Sequence, residues 1–376
     1  MGKHLVLVGG GHAHLTVLLN LAKYIEGGHR VTLIGPSPYH YYSGMGPGLL
    51  SGIYRPQDVR FHVKKMAEDQ GATFVQDIVT GIHPAQRTLI LQSGEQVRYD
   101  VVSFNTGSDV PLSGLVAQPQ KNVIPVKPVF NLLQAQRFIL PALKQKQMDF
   151  IVVGGGPAGV EVTANLWRLV NQNGGNASIK LLAGRKLLGN LPEKVRTLAL
   201  SSLAGRGIVV IEGNRVKEVA ANQILMADGS SHDFDVAFMA LGVQPSRLFH
   251  DSGIPTGPDG GLLVNSFLQS VAHPEMFGGG DCISFAERPL AKVGVYAVRQ
   301  NPILLHNLLA ALEGNEMKRF VPQREYMLIF NMGNGRGILW KKKFVWEGRL
   351  AFLLKDYIDR KFMRKFQVAG EAEEQE

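Results

Sequence analysis

Two glycine-rich turns, each directly after a short apolar run, constrain this sequence more than any other feature. The first turn, Gly9-Gly10-Gly11, follows the apolar run 4–8 and precedes a helical pattern over 15–21 and a second apolar run over 30–34. This order of strand, turn, helix and strand is typical of a βαβ unit whose helix N-terminus binds a pyrophosphate. Gly9 allows the sharp turn after the strand, and Gly11 lets the backbone approach the phosphates.

The first unit departs from the usual dinucleotide-binding pattern at two positions. His14 stands where a third glycine is expected, so a side chain must fit between helix and strand. Ser37 follows the second strand, where an acidic residue usually binds a ribose hydroxyl, and we expect Ser37 to take that role as a weaker acceptor. The first turn alone does not establish a dinucleotide site, because glycine turns after strands are common in α/β proteins.

The second turn lies about 145 residues further on and matches the G-x-G-x-x-G pattern at Gly154, Gly156 and Gly159. An apolar run precedes it, and a helical pattern and a further apolar run follow it, over residues 150–153, 160–170 and 179–182. No acidic residue follows the last of these runs; Arg185 and Lys186 stand there instead. Such cations accommodate the 2′-phosphate of NADPH, or they are only solvated surface charges. The choice between NADH and NADPH therefore stays open.

Together the two units predict an α/β fold with two Rossmann-like, three-layer ββα dinucleotide-binding domains, the second inserted in the first. Two similar strands end in small-residue turns, at Thr106-Gly107 and at Gly242, which we assign to the two cofactor sites. A C-terminal amphipathic helical region completes the fold. The expected domains are 1–110 with 256–320 for the first unit, 111–255 for the second, and 321–376 for the C-terminal region.

Composition excludes several classes of protein. Cys282 is the single cysteine, so the chain cannot hold a disulfide framework, a dithiol redox pair or a cysteine-rich metal site. His12 and His14 have no third candidate ligand nearby, so we expect no metal and place both histidines at the first cofactor site. The first residues show no signal peptide, and no apolar run is long enough to span a bilayer. We expect an intracellular protein.

At this point the sequence resembles the flavoproteins with two dinucleotide-binding domains, over about residues 3–310. That family includes disulfide reductases, sulfide:quinone reductases, apoptosis-inducing-factor-like proteins and type II NADH dehydrogenases. The resemblance implies that the first turn binds FAD, that the second binds NADH or NADPH, and that the carboxylate of Asp281 binds the ribityl chain of FAD. Several details, such as His12-Ala13-His14 and Tyr42-Ser43-Gly44-Met45, are most similar to the oxidoreductase domain sometimes fused to selenide, water dikinase.

Among these classes, the type II NADH dehydrogenase pattern fits best, because residues 41–48 lack the cysteine pair of disulfide reductases. The resemblance places Glu161 near the flavin, where it steers nicotinamide or relays a proton; alternatively, it is a glutamate favoured by the helix dipole. Lys292 is expected at the flavin pyrimidine edge, where its charge would stabilise reduced flavin. The expected activity is FAD-dependent NAD(P)H:quinone oxidoreduction. The alternatives are a soluble NAD(P)H:acceptor reductase dimer and a slow-turnover flavin sensor protein.

The C-terminal region carries most of the net charge of +9. Residues 341–366 hold nine basic and three acidic residues, and an apolar stripe runs along a predicted helix over 347–366. A cationic amphipathic helix lies well at an anionic membrane surface, which predicts a cytoplasmic protein peripheral to the inner face of the cell membrane. The alternative is that the stripe packs on the first domain or on a second subunit. No nucleic-acid-binding module is present. We expect the acidic end, residues 371–376, to be disordered.

Overall fold

The glycine turns sit at the ends of two parallel sheets in the computed structural model, which describes residues 2–116, 118 and 120–374. Short 3-10 helices aside, the helices are α1 (Leu15–Leu18), α2 (Leu21–Glu26), α3 (Gly46–Leu50), α4 (Val63–Glu68), α5 (Phe130–Leu143), α6 (Pro157–Gln172), α7 (Glu193–Ala204), α8 (Leu248–Asp251), α9 (Gly294–Glu313) and α10 (Arg349–Phe366). The strands are β1 (His4–Val8), β2 (Arg30–Gly35), β3 (His40–Tyr41), β4 (Arg60–Phe61), β5 (Thr73–Gln76), β6 (Val79–His83), β7 (Thr88–Leu91), β8 (Gln96–Arg98), β9 (Val101–Phe104), β10 (Val123–Pro125), β11 (Met148–Val153), β12 (Ala177–Leu182), β13 (Val209–Ile211), β14 (Val216–Val219), β15 (Gln223–Met226), β16 (Ser231–Asp233), β17 (Val236–Met239), β18 (Leu262–Val264), β19 (Met276–Gly278), β20 (Ile283–Phe285), β21 (Leu328–Asn331), β22 (Gly337–Lys341) and β23 (Phe344–Gly348).

The first sheet has the strand order β19-β9-β1-β2-β5, and all its pairs are parallel. Strands β1 and β9 are buried along their whole length, which explains their unbroken apolar sequences. Because β1 lies at the centre of this sheet, the first glycine turn opens at the carboxyl ends of adjacent parallel strands. That edge is where open α/β sheets bind their ligands.

The second sheet has the order β10-β17-β11-β12-β13 and is also parallel. All five strands of this second sheet lie in the chain between β9 and β19. Because β9 and β19 are neighbours in the first sheet, the second unit is inserted in the first. Each sheet carries its own hydrophobic core. The predicted fold class is confirmed, and we propose the two domains with the boundaries given above.

The C-terminal region contains more than the predicted helix. Strands β21, β22 and β23 form an antiparallel sheet, and α10 follows directly from β23. The cluster Lys341-Lys342-Lys343 therefore lies at a hairpin turn. In the described part of the chain, no helix is both long and apolar enough to cross a membrane.

The expectation of disorder at the acidic end is wrong for residues 371–374. Residues Glu371–Glu373 form a 3-10 turn, and Glu371 is fully buried. Residues 375 and 376, on which the same expectation also fell, lie outside the described residues.

Candidate active site

The first glycine turn leaves no room for side chains at two of its positions. Gly9 has a φ of +87°, and a Cβ added there would lie 2.4 Å from the carbonyl oxygen of Asn105. A Cβ on Gly11 would lie 2.3 Å from the side-chain oxygen of the same asparagine. Asn105, which the sequence did not single out, holds the turn: it accepts from the Ala13 N–H (3.0 Å) and donates to the Gly279 carbonyl (2.6 Å). The turn is therefore fixed before any ligand binds.

The two histidines of this turn have different surroundings. Both ring nitrogens of His14 are used, one 2.7 Å from the Gly9 carbonyl oxygen and the other 2.7 Å from Ser103 Oγ. His14 therefore stabilises the turn through hydrogen bonds within the protein. A hydrogen bond from its ring to the cofactor would require one of these two hydrogen bonds to break. His12 is also buried, and its Nε2 atom has no hydrogen-bond partner among the described residues.

Burial, assisted by the nearby ammonium of Lys127, lowers the pKa of His12 to about 4. Burial also lowers the pKa of His14 to about 4. Both rings are therefore neutral near pH 7. A buried polar atom without a partner is costly, so the free Nε2 atom of His12 fits a bound group that would complete its hydrogen bonding. This observation agrees with FAD at the first turn.

Asp281, the predicted ribityl ligand, lies in the 3-10 helix that follows β19. Its Oδ2 atom accepts from Lys127 Nζ at 2.7 Å and from Ser108 Oγ at 2.8 Å. Ser108 follows the predicted turn Thr106-Gly107, where Gly107 has a φ of +73°. The structure therefore brings the ends of β9 and β19 together with Lys127, the second residue after β10. The sequence did not reveal Lys127 as a member of this group.

The other two residues predicted for the FAD site are held by protein contacts. Ser37 Oγ accepts from the Tyr39 N–H at 3.1 Å, at the end of β2. Lys292 Nζ donates to the Ile283 carbonyl (2.5 Å) and forms an ion pair with Asp259 (2.7 Å). Lys292 shares a small cavity with Asp281 at the start of α9. The position of Lys292 at the flavin edge stays a prediction.

The second glycine turn closes tightly against β12 and β17. Gly154 has a φ of +130°, and a Cβ there would lie 2.1 Å from the Ala240 carbonyl oxygen, just before Gly242. A Cβ on Gly159 would lie 1.8 Å from the Gly154 carbonyl oxygen. By contrast, an added Cβ on Gly156, the N-cap of α6, meets no atom within 4 Å. Gly154 and Gly159 are thus required by the fold, whereas the space at Gly156 is left for a ligand.

The two cations after β12 differ in their contacts. Lys186 forms an ion pair with Glu193 at 2.9 Å, whereas Arg185 is exposed. If a 2′-phosphate binds here, Arg185 is the cation that reaches it without breaking an existing ion pair.

Glu161, on the first turns of α6, meets the C-terminal region. Its Oε1 atom accepts from the backbone N–H of Asn331 in β21 at 2.7 Å. Burial raises the pKa of the Glu161 carboxyl to about 7, although the Lys355 ammonium and the Asn331 N–H both act to lower it. The carboxyl therefore carries a proton in about half of the molecules at neutral pH.

Lys355 connects Glu161 to the first unit. Its Nζ atom donates to the Gly44 carbonyl (2.6 Å) and to Asp359 (2.7 Å), one turn further along α10. Asp359 in turn accepts from the Tyr42 hydroxyl at 3.0 Å. Burial acts to lower the pKa of Lys355, but the carboxyl groups of Asp359 and Glu161 together act more strongly to raise it. The pKa of Lys355 is therefore above its ordinary value, and the ammonium stays charged. Glu161, Lys355, Asp359 and Tyr42 form one partly buried group, which we call the acid–lysine cluster.

Aromatic rings join this cluster to the first glycine turn. The ring of Phe362 on α10 stacks on His12, with centroids 6.0 Å apart, and lies 4.9 Å from the ring of Tyr42. The segment 42–45, the first glycine turn, the helix of the second glycine turn and α10 therefore meet at one place. The sequence indicates Glu161 here but not Lys355 or Asp359, because Asp356 and Arg360 on the same helix have the same spacing of four.

The family model described as pyridine nucleotide-disulphide oxidoreductase matches residues 3–305. The chain belongs to this family. Ferroptosis suppressor protein 1 of Xenopus tropicalis is 26% identical over 349 residues, covering 89% of this chain and 87% of that protein. The internal alternative NAD(P)H-ubiquinone oxidoreductase A1 of Arabidopsis thaliana is 24% identical over 152 residues, covering 38% of this chain and 30% of that protein.

Solved structures share the fold across almost the whole chain. NDH2 from Plasmodium falciparum in complex with NADH superposes with a TM-score of 0.81 at 15% identity, covering 98% of both chains. The sulfide:quinone oxidoreductase of Aquifex aeolicus superposes with a TM-score of 0.79 at 18% identity, covering 98% of this chain and 92% of that one.

As a pyridine nucleotide-disulphide oxidoreductase family member, the protein is an enzyme that uses FAD and NAD(P)H. It nevertheless lacks the dithiol for which the family is named, because Cys282 is the single cysteine. The thiol of Cys282 is buried, lies 3.4 Å from the Phe104 carbonyl oxygen, and has a pKa raised by burial. A dithiol relay therefore cannot form within this chain.

Proposed function

We propose that the protein is a FAD-dependent NAD(P)H:quinone oxidoreductase of the type II NADH dehydrogenase kind. The observation that carries this proposal is the acid–lysine cluster, in which a carboxyl from the nucleotide-binding helix α6 feels the charges of Lys355 and Asp359 on α10, and Lys355 bonds to Gly44 in segment 42–45. An acid with a pKa of about 7 at this meeting point suits proton transfer to an acceptor at neutral pH. The relative named as an NAD(P)H-ubiquinone oxidoreductase agrees with a quinone as that acceptor.

FAD, when bound, would supply the two-electron chemistry between NAD(P)H and the quinone. Reducing a quinone to a quinol requires two protons for two electrons. The hydride of NAD(P)H brings one proton equivalent, and the second must come from the medium. We assign its delivery to Glu161, whose charge is balanced by Lys355. Asp359 and Tyr42 position the Lys355 ammonium by direct hydrogen bonds.

The nucleotide sites follow from the two turns. The residues that would hold FAD are those around the first turn, with His12 Nε2 and the Asp281 carboxylate as polar contacts and Ser37 at the ribose. The residues that would hold NAD(P)H are those at the N-terminus of α6, where Gly156 leaves the backbone open and the helix dipole favours a pyrophosphate. Both sites lack an acid after the second strand, so we make no choice between NADH and NADPH.

We further propose that α10 docks the enzyme on a membrane, from which the quinone enters. One side of α10 is apolar and turned outward: Leu350 (61% exposed), Leu353 (56%) and Tyr357 (57%) lead it. Phe344 and Trp346 of β23 are exposed beside it. Exposed cations surround this face, at Lys341, Lys343, Arg349, Lys361, Arg364 and Lys365. An apolar face within a cationic border suits an anionic bilayer surface. A second copy of the chain is the alternative partner for this face.

The activity is tested by mixing the anaerobic holoenzyme with NADH or NADPH and following the visible absorbance of the flavin. We expect rapid bleaching with at least one nucleotide, then recovery of the colour when a short-chain quinone is added. Bleaching without recovery by quinone would replace the quinone by another acceptor. Absence of bleaching with both nucleotides would refute the proposed donor.

Membrane docking is tested by flotation of the full chain with anionic and neutral vesicles. We expect binding to anionic vesicles that is lost in the double variant Leu353→Ser, Tyr357→Ser. Phe138→Ser on α5, where the side chain is 51% exposed, is the matched control for loss of an exposed apolar group. If the double variant floats like the control, the membrane proposal is wrong. If the wild type is a dimer that never floats and the double variant is a monomer, the face binds a second copy.

A further inference from the structure

The segment after α10, residues 367–374, folds back onto the first unit; we call it the clasp. Gln367 Nε2 donates to the carbonyls of Gln57 (2.7 Å) and Arg60 (3.0 Å). The carboxylate of Glu371, which is fully buried, accepts from the backbone N–H groups of His62 (2.9 Å) and Ala369 (3.0 Å). Each oxygen of this buried carboxylate is thus bonded, which is the condition under which a buried charge is tolerated.

Glu374, at the end of the clasp, bonds to the side chains of Arg60, in β4, and Tyr39, just before β3. Its carboxylate forms an ion pair with Arg60 at 2.5 Å and accepts from the Tyr39 hydroxyl at 3.2 Å. The Arg60 guanidinium also lies over the Tyr39 ring, 4.2 Å from its centroid. The side chains of Arg60 and Glu374 are only 13% and 23% exposed, so salt screens this pair less than it screens a surface pair.

The residues that the clasp contacts belong to segments that also contact the first glycine turn. Strand β4, which carries Arg60, pairs with β3, which carries His40. His40 Nε2 lies 3.3 Å from the Nδ1 atom of His12 in the turn. Val63, directly after His62, packs against Gly10, where an added Cβ would lie 2.8 Å from a Val63 methyl carbon.

Tyr39 makes a further connection. Its backbone N–H bonds to Ser37 Oγ, at the end of β2, while its hydroxyl bonds to Glu374. The clasp therefore reaches both places where FAD contacts are expected on this unit: the pyrophosphate turn, through His40 and Val63, and the ribose position, through Tyr39. It reaches them from outside, through protein contacts.

We propose that the clasp is a positioning device for FAD, in which Glu371 and Glu374 hold β3, β4 and Tyr39 in the arrangement that the cofactor needs. Carboxylates placed directly on a pyrophosphate would repel it; here Glu374 is paired with Arg60, and Glu371 accepts hydrogen bonds from backbone N–H groups. Their effect is exerted through the residues that they hold. Preorganisation of this kind slows ligand release, because the bound arrangement already exists in the free protein. The inference depends on FAD binding and does not depend on the acceptor being a quinone.

The test measures the rate of FAD release from the full-length holoenzyme after dilution, by the recovery of flavin fluorescence, with no nicotinamide or quinone present. Glu374→Gln removes the ion pair with Arg60, and we expect it to release FAD roughly tenfold faster than the wild type. Glu373→Gln is the matched control, because it removes the same charge from an exposed neighbour in the same turn. We expect the control to release FAD at the wild-type rate.

Two further variants make the result specific. The exchange Arg60→Glu with Glu374→Arg restores the ion pair in reverse and is expected to recover part of the slow release. Tyr39→Phe removes only one bond to Glu374 and is expected to give a smaller increase in the same direction, which keeps the proposal testable should Glu374→Gln fail to fold.

A purely structural role predicts a different pattern. In that case Glu374→Gln would lower the melting temperatures of the apoprotein and holoenzyme equally, with FAD release unchanged. The proposal instead predicts that the stabilisation gained on adding FAD becomes smaller, because that gain depends on the affinity for the cofactor. Equal FAD release from Glu374→Gln and Glu373→Gln would overturn the proposal, whatever the enzyme does with quinones.

Discussion

Replacing Glu161 by glutamine tests the role of the acid–lysine cluster most directly. A pKa of about 7, compared with the ordinary value of 4.5, corresponds to roughly 3 kcal/mol of preference for the neutral acid at this place. If the neutral acid donates the proton, the rate follows its population. That population is about one half at pH 7 and about one tenth at pH 8, so we expect an approximately fivefold fall in rate over this interval.

The assay follows reoxidation of the pre-reduced flavin by a soluble short-chain quinone across neutral to alkaline pH, which separates this step from nucleotide binding. In Glu161→Gln we expect the inflection near neutral pH to vanish and the rate at low pH to fall about a hundredfold, the usual contribution of a general acid. Lys355 lowers the pKa of Glu161 whereas Asp359 raises it. Lys355→Met should therefore move the inflection to higher pH, and Asp359→Asn should move it to lower pH.

Asp356→Asn is the control on the same helix, because the Asp356 carboxylate pairs with Arg360 at 3.0 Å and, unlike Asp359, is not among the causes of the shifted pKa of Glu161. We expect it to leave the inflection in place. The reasoning is refuted if Glu161→Gln keeps the wild-type inflection, since another group would then be titrating. It is also refuted if Lys355→Met and Asp359→Asn move the inflection in the same direction.

Three further predictions concern the nucleotide turns and the single thiol. Arg185→Ala should raise the KM for NADPH about tenfold and leave the KM for NADH unchanged; Lys186→Ala should have a smaller effect, because Lys186 is held by Glu193. Steady-state kinetics with both nucleotides tests this, and an equal change in the KM for NADH and for NADPH would exclude a 2′-phosphate site. Gly156→Ala should leave the melting temperature of the apoprotein unchanged but abolish nucleotide binding in titration calorimetry. Gly159→Ala should instead lower the melting temperature by several degrees, because the added Cβ would meet a backbone oxygen. Cys282→Ala should keep flavin reduction by NAD(P)H intact and cost about 1 kcal/mol of stability in denaturant unfolding; loss of electron transfer would contradict the thiol-free route.

The parts of the fold that the sequence predicted are those specified by neighbours along the chain. The first strand is 4–8 as expected, and the run at 30–34 extends by one residue to Gly35. Each glycine turn follows its strand and precedes its helix within about ten residues, so periodicity and turn residues suffice to identify it. The helix after the first turn differs in one respect, because it breaks between Leu18 and Leu21 into α1 and α2.

The parts that the sequence did not reveal depend on contacts between distant residues. Asp359 and Tyr42 are 317 residues apart, and Asn105 and Gly279 are 174 residues apart. No local pattern distinguishes Lys355 from the other cations of its helix; only its burial between Glu161 and Asp359 does so. The acidic end was misjudged for the same reason, because composition alone could not show that Arg60 and the His62 backbone receive its carboxylates.

The apolar stripe of α10 shows how one local pattern serves two contacts. A stripe predicted from helical spacing specifies which residues share a side, and not what covers them. In the structure the stripe divides along its length: Phe362 and Phe366 pack on the first unit, whereas Leu350 and Leu353 are exposed. Lys355 lies between these two parts, on the same rigid helix as both. Any surface that binds the exposed part therefore fixes the orientation of Lys355, and with it the Glu161 carboxyl, relative to that surface. If the surface is a bilayer, docking and proton delivery to the quinone are coupled by the helix itself, and α10 cannot be replaced by an unrelated membrane anchor without loss of the acid–lysine cluster.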